Sequence, residues 1–128
     1  MPGREISEGG ARRPVPAVFG GRSIGTERPF EGVERETHQG EKATVTAYSF
    51  EPGAEFPMHS HDEEQITVFL AGEVEVTVAG ETRVFGAGET ALIEPGRVHG
   101  MRAGPAGAAF VALVVPRREH ASAYEIAE

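Results

Sequence analysis

From residue 43 to residue 115 the chain is cut into short runs of β-forming residues, each closed within a few positions by a turn signal. Such punctuation leaves no room for a long helix and predicts an all-β fold. The runs are ATVTAYSF (43–50), QITVFL (65–70), EVEVTV (73–78), TRVF (82–85), TALI (90–93), VHGMR (98–102) and AFVALVV (109–115). Alternation is clean in the third, with Val74, Val76 and Val78 assigned to the core and Glu73, Glu75 and Thr77 to water. Ala79-Gly80-Glu81 predicts a hairpin turn, and Glu94-Pro95-Gly96-Arg97 has the Pro and Gly placement of a type II turn. Seven or eight such strands close into a sandwich or a barrel.

The flanks read differently. Residues 1–30 hold ten of the 17 Gly and 9 Pro, which excludes a long helix or a central strand there. This stretch is either a disordered lead or an extended arm that docks on the barrel or on a second subunit and buries Phe19 and Phe30. Residues 31–116 form the barrel, and the tail 117–128 has room for a short helix. At 128 residues the chain supports one core and not two.

Charge and composition narrow the partners. A net charge of −8 repels a phosphate backbone, so no nucleic-acid partner is expected. The absence of cysteine excludes disulfides, thiolate metal sites and thiol nucleophiles. No run approaches the ~18 apolar residues of a membrane span, and the N-terminus lacks a signal-peptide core. No membrane partner and a cytoplasmic location are therefore the expectation.

Three of the five histidines stand at metal-ligand spacing. His59 and His61 are two apart, so on an extended segment both imidazoles face one way. Gln65 shares that parity, whereas Glu64 has the opposite one. His99 follows the Pro95-Gly96 turn, where a strand begins, and a distant third imidazole is how β scaffolds complete open metal sites. One divalent transition-metal ion on His59, His61, Gln65 and His99 is expected. Iron, nickel, zinc, manganese and copper all suit imidazole and oxygen donors. Three other arrangements remain open: Gln65 hydrogen-bonding a ligand water, Glu64 as fourth ligand, and a barrel without an ion.

The setting of these residues resembles the cupin superfamily. Gly53, His59, His61, Gln65 and Gly72 follow Gly-x5-His-x-His-x3-Glu-x6-Gly, with Gln at the Glu position. Gly88, Gly96 and His99 follow Gly-x5-Pro-x-Gly-x2-His, with Glu94 at the first Pro and Pro95 beside it. The resemblance covers residues 40–116 and implies a double-stranded β-helix, or jelly-roll barrel, with its ligands in the lumen. Within the superfamily, HSHDEEQITVFLAGEVEVTVAGE is similar to the small monocupins that open or ketonise unsaturated uronates. Those use three histidines and a glutamine. Polyketide-cyclase cupins are similar in having a Gln among the ligands. The chain departs from the uronate pattern on the last strand, where Val111 and Leu113 stand at the places of an acid and an aromatic before Pro116-Arg117.

Chemistry follows from ligand charge. A Gln brings a neutral carbonyl oxygen where a Glu would bring a negative charge, so the ion keeps its full +2 and favours anionic or oxygen-chelating ligands. The expected activity is that of a metal-dependent isomerase or cyclase acting on a small oxygen-rich substrate, with Glu64 or a metal-bound water moving protons. An iron-dependent dioxygenase of a phenolic or diketone, and a non-catalytic ligand-binding barrel, are the alternatives. Tyr48, Thr67, Phe69 and Met101 are candidate substrate-lining residues; Thr46 and Phe50 share the Tyr48 face. Arg102, Arg117 and Arg118 are assigned to strand-end surface positions, with pairing of a substrate carboxylate as the alternative for Arg102 and a reach to the barrel mouth as the alternative for Arg117 or Arg118; His38 and His120 are assigned to the surface. A homodimer through residues 15–40 would protect an open sheet edge.

Overall fold

The computed structural model describes residues 20–118 and 124–127. Among these described residues there are nine strands and no helix: β1 (Arg22–Phe30), β2 (Val33–Gln39), β3 (Thr44–Phe50), β4 (Glu55–Ser60), β5 (Glu64–Val78), β6 (Glu81–Phe85), β7 (Thr90–Ile93), β8 (His99–Val115) and β9 (Glu125–Ile126). All pairings are antiparallel.

Two long strands, β5 and β8, pair along their whole length and form the spine. Each runs through both halves of the fold. The first half has the order β1-β2-β3-β8-β5-β7, using the later part of β8 and the earlier part of β5. The second half has the order β9-β4-β8-β5-β6, using the remaining parts. Register shifts between Phe69 and Ala71 and between Gly72 and Val74 mark the bend; bulges of this kind turn a strand out of its plane. Gly72 and Gly107 face one another there with φ of 73° and 74°. A Cβ on Gly72 would overlap the Gly107 carbonyl oxygen, so the two long strands can be this close only without side chains at that point. The sequence divided these strands at Ala71-Gly72 and at Gly104–Gly107. The glycines bend them and do not end them.

The halves share one core. Phe50, Phe69, Ile93 and Phe110 of the first half meet Phe56, Val74, Val76, Met101 and Ala103 of the second. Phe69 stacks on Phe85 with centroids 5.2 Å apart and lies 5.5 Å from Phe110. Each of these buried aromatics contributes roughly 2–3 kcal/mol by area. The result is the all-β fold expected from the strand punctuation, in the jelly-roll form that the motif resemblance implied.

Both flanks depart from the sequence reading in part. β1 is a nine-residue edge strand along β2. An edge is where Pro29 and a positive-φ Gly25 can be accommodated. Phe30, half-buried, packs edge-on against Phe56 at 4.8 Å; Phe19 and the rest of 1–19, on which the arm expectation also falls, lie outside the described residues. β2 alternates, but the side chains it buries beside Val33 are Arg35, Thr37 and Gln39. The tail with room for a short helix lies partly outside the described residues; of those described, Glu125–Ile126 form β9, which pairs with β4.

Candidate metal centre

The segment that carries the first two histidines is shaped by an irregularity in β4. Phe56 pairs with Met101 and His59 with His99, with a register shift between them. Phe56 and His59 are three apart, an odd spacing on a strand, yet both side chains are buried. The extra residue of the bulge restores His59, and with it His61, to the inward face. The third histidine is brought in by the predicted turn. Arg97 N–H donates to Glu94 O at 3.3 Å, Gly96 has φ 77°, and Gly96 N–H donates to His61 O at 2.9 Å. That last bond ties the turn before β8 to the segment after β4, so His61 and His99 approach across it.

The three imidazoles then meet. Their ring centroids lie 4.2 Å apart for His59 and His99, 5.0 Å for His61 and His99, and 5.8 Å for His59 and His61. One nitrogen from each lies within 4.8 Å of the others. The rings are oriented by the main chain. Nδ1–H of His59 donates to Pro57 O at 2.8 Å, that of His61 to Glu63 O at 3.0 Å, and that of His99 to Arg97 O at 2.8 Å. A carbonyl can only accept, so each Nδ1 carries the proton and each Nε2 is left with its lone pair. Anchoring the second ring nitrogen in this way is the usual support of a metal-bound imidazole.

Gln65 points the same way. Its Nε2 donates to the buried Thr67 Oγ1 at 2.9 Å, which turns Oε1 toward His61 Nε2 at 3.0 Å. Two acceptors face each other at that distance. Two donors each ~2.1 Å from one ion and at right angles around it are separated by about 3.0 Å. The donor set therefore fits a cation, and the buried His99 Nε2, which has no hydrogen-bond partner among the described residues, supports the same fit.

Burial keeps these groups neutral. Desolvation, followed by the nearby His99, lowers the His59 pKa to about 3. Desolvation lowers His99 to about 4 and also lowers His61. For the metal-free protein the sign follows directly. Both folded values lie below the ordinary 6.5, so above that pH neither state holds the proton and full stability is present. As the pH falls through 6.5 toward 4 and 3, the unfolded chain takes up protons that the folded chain refuses, and stability is lost. We expect metal-free protein to lose roughly 2 kcal/mol per histidine between about pH 7.5 and about pH 5. Urea unfolding at the two pH values checks this; equal stability would contradict the neutral, buried assignment.

The surrounding residues divide into those expected and those missed. Tyr48 and Met101 line a small cavity of about 20 Å³ beside the histidines, with Thr46, His59, Gln65, Phe110, Arg118 and Tyr124 also on its wall. That is room for about one water. Thr67 does not line it but holds the Gln65 amide. Phe69 does not line it either, being stacked in the core. Glu64 is exposed on the opposite face of β5 from Gln65, which corrects its assignment as proton carrier or ligand: strand parity turns it outward. Its neighbour Glu63 is the carboxylate near the site, 3.5 Å from His61 Nδ1 and 3.6 Å from Arg118 Nε. Toward the end of β8, beyond Phe110, the cavity-lining residues are Ala112 and Val114, not Val111 and Leu113. Both pairs are apolar, so no acid stands there on either count.

Two buried arginines were not anticipated. Arg35, 1 % exposed, lies on β2 with its Nε 3.1 Å from Glu27. Arg118 was assigned to the surface and is instead buried. Its backbone is held by a closed polar set. Gln39 Nε2 donates to Arg118 O, Thr44 Oγ1 donates to Gln39 Oε1, and Arg118 N donates to Thr44 Oγ1. Alternating polar residues on β2 were the available signal, masked because they look like a solvent face. Arg102 lies at the surface, 3.9 Å from Glu55. A wider groove of about 650 Å³ along β6 and β7 holds no histidine and is separate from this chemistry.

Among the described residues no helix is long and apolar enough to cross a membrane. No curated protein matches the sequence. Solved structures do. An RmlC-like cupin from Shewanella frigidimarina is 25 % identical, with a TM-score of 0.69 over 84 % of this chain and 97 % of that one. KdgF from a Halomonas species is 24 % identical, with a TM-score of 0.68 over 73 % of this chain and 89 % of that one. A mutant of Bacillus subtilis oxalate decarboxylase is 18 % identical, with a TM-score of 0.72 over 90 % of this chain and 34 % of that one. The family model described as a cupin domain matches residues 46–116, more than half of the sequence. With this match, the jelly roll and the buried three-histidine cluster at the motif positions, the chain belongs to the cupins.

Proposed function

We propose that this cupin binds one divalent transition-metal ion through His59, His61, Gln65 and His99 and acts as a metal-dependent isomerase or cyclase on a small, oxygen-rich anion. The observation that carries this reading is the convergence of four neutral donors, with Gln65 Oε1 set 3.0 Å from His61 Nε2 by Thr67. A bound ion supplies Lewis-acid polarisation of a carbonyl or hydroxyl.

The protein's own residues favour an anion as the ion's partner. The arginines at the site each face a carboxylate, Arg35 with Glu27 and Arg118 with Glu63, whereas four neutral ligands leave the ion's charge uncompensated. Tyr48 places a phenol on the cavity wall. Burial raises its pKa, with Arg35 and Arg118 acting against that rise. The phenol thus stays protonated near neutral pH and can donate Oη–H to a substrate oxygen that gains charge. With Glu64 outside, Tyr48 is the proton-bearing group that this reading assigns to the reacting molecule. The identity of the metal and of the substrate acid or polyketide-like compound are what the assay must establish.

The test combines elemental analysis with a Gln65→Glu variant. The proposal expects about one metal per chain in both proteins and an activity change of ~10-fold or more, because the variant adds one negative ligand charge and so cancels one unit of the ion's charge. An oxygen electrode runs beside the assay of ferrous protein. Oxygen consumption with a phenolic or diketone substrate would replace the isomerase reading by a dioxygenase. A broad panel left chemically unchanged, with some members raising the melting temperature, would leave a binding protein.

A further inference from the structure

The cavity beside the histidines holds about one water, and the three rings are almost fully buried, His59, which lines it, at 6 %, His61 at 7 % and His99 at 1 %. Neither an ion with its water shell nor any small molecule can enter that arrangement without a wall moving. Most walls cannot move cheaply. β3, β5 and β8 are paired over seven or more positions with neighbours on both sides. The apolar end is plugged by Phe50, Phe56, Phe69 and Phe110.

One wall is different. β9 is two residues long, and both are exposed. Among the described residues its backbone is held to β4 through the pairs His59↔Ile126 and Ser60↔Glu125 and the bond from Ala127 N–H to Met58 O at 2.7 Å. Beside it, Tyr124 reaches into the cavity wall. Its ring lies 5.3 Å from that of His59 and 5.3 Å from that of Phe56. The Arg35 guanidinium stands over its face, 5.9 Å from the centroid. Short elements with few ladder bonds open locally at far lower free energy than the core.

We infer that β9 is a detachable wall of the metal chamber: Tyr124–Ala127 leaves β4 to admit ion and substrate, and Tyr124 closes over them on return. This rests on the metal reading proposed above. When β9 leaves, Tyr124 withdraws with it from His59, so the release of one short strand both exposes a candidate ligand and enlarges the cavity. On return, the aromatic face of Tyr124, backed by the Arg35 guanidinium and so fixed in place, becomes the contact that a bound molecule meets opposite the β8 wall.

The chain has no cysteine, so a single engineered disulfide can lock the strand. Ser60 and Glu125 are direct cross-strand partners, and such pairs have Cα atoms ~4.5–5.5 Å apart, within disulfide reach. The experiment follows Co(II) uptake by metal-free Ser60→Cys/Glu125→Cys protein through its visible absorption, oxidised and then reduced. The oxidised form is expected to load about tenfold or more slowly than the reduced form and to reach the same final stoichiometry. A Tyr124→Ala variant, which needs no cross-link, is expected to load several-fold faster than the unmodified protein. Equal rates in the oxidised and reduced forms, or in Tyr124→Ala and the unmodified protein, overturn the detachable wall and leave the metal centre standing. No uptake by any form overturns the metal centre, and the wall with it.

Discussion

His99→Ala is expected to abolish stoichiometric metal binding while leaving the barrel folded, which makes it the most discriminating single substitution in the site. His99 is 1 % exposed and its Nε2 has no protein hydrogen-bond partner among the described residues. In the metal-free protein that atom is a buried acceptor with nothing to accept from, a costly state whose removal offsets part of the cost of losing the ring. Metal-free His99→Ala should therefore stay within about 2 kcal/mol of the unmodified protein. The metal-loaded state tells the opposite story. An ion present at ~100 times its dissociation constant adds about 2.7 kcal/mol to the unmodified protein, on the order of 10 °C in melting temperature. The variant, left with two imidazoles and an amide, should gain almost none of this, because deletion of a ligand exceeds the ~10–100-fold loss seen when only a supporting group is removed. Elemental analysis and paired melts with and without metal check the result. A variant that keeps close to one ion per chain would remove His99 from the ligand set and, with it, the reading of the cluster.

The second large effect is on folding. Gly72 and Gly53 are both motif glycines, and both have a φ of 73°. An alanine at either meets the same left-handed backbone, at a cost of roughly 1–2 kcal/mol. They differ in surroundings. A Cβ at Gly53 meets open space, whereas one at Gly72 overlaps the Gly107 carbonyl oxygen where β5 and β8 bend together. Gly53→Ala should lose only the backbone term, while Gly72→Ala should lose about 4 kcal/mol or more, or fail to fold. Urea unfolding of the pair isolates the steric part, since the dihedral part is common to both. Losses of equal size would show that the bend does not depend on the close approach of the two strands.

These two glycines show what the sequence could reveal. Motif spacing marked both as special, and turn chemistry explained why a glycine was needed. Neither could reveal that Gly53 ends a turn while Gly72 lets a fifteen-residue strand pass from one half of the barrel to the other. The same limit applies to the site. Parity placed His59, His61 and Gln65 on one face and Glu64 on the other, although Glu64 was still retained as proton carrier and alternative ligand, and the turn at Pro95-Gly96 located His99. Parity on β4 was legible only because the bulge between Phe56 and His59 falls before the first histidine. The β2 wall was illegible for a physical reason. A barrel that encloses polar chemistry lines its interior with residues such as Arg35, Thr37 and Gln39, and alternation of polar with polar carries no hydrophobic signal. Arg118 was misplaced because its position depends on Gln39 and Thr44, which are more than seventy residues away in the chain.

Each of the three imidazoles is steered by a carbonyl two positions along its own segment. In each of these three bonds the acceptor is main chain, and the imidazole itself is the sole side chain involved. Exchanging Tyr48, Ala112 or Val114 would reshape the space beside the cluster without removing a bond that sets a tautomer. The tautomers of the three imidazoles are thus set by main-chain atoms, whereas the aim of Gln65 and the contour of the chamber are set by side chains. A barrel so built can change what it accepts while its anchoring point stays fixed.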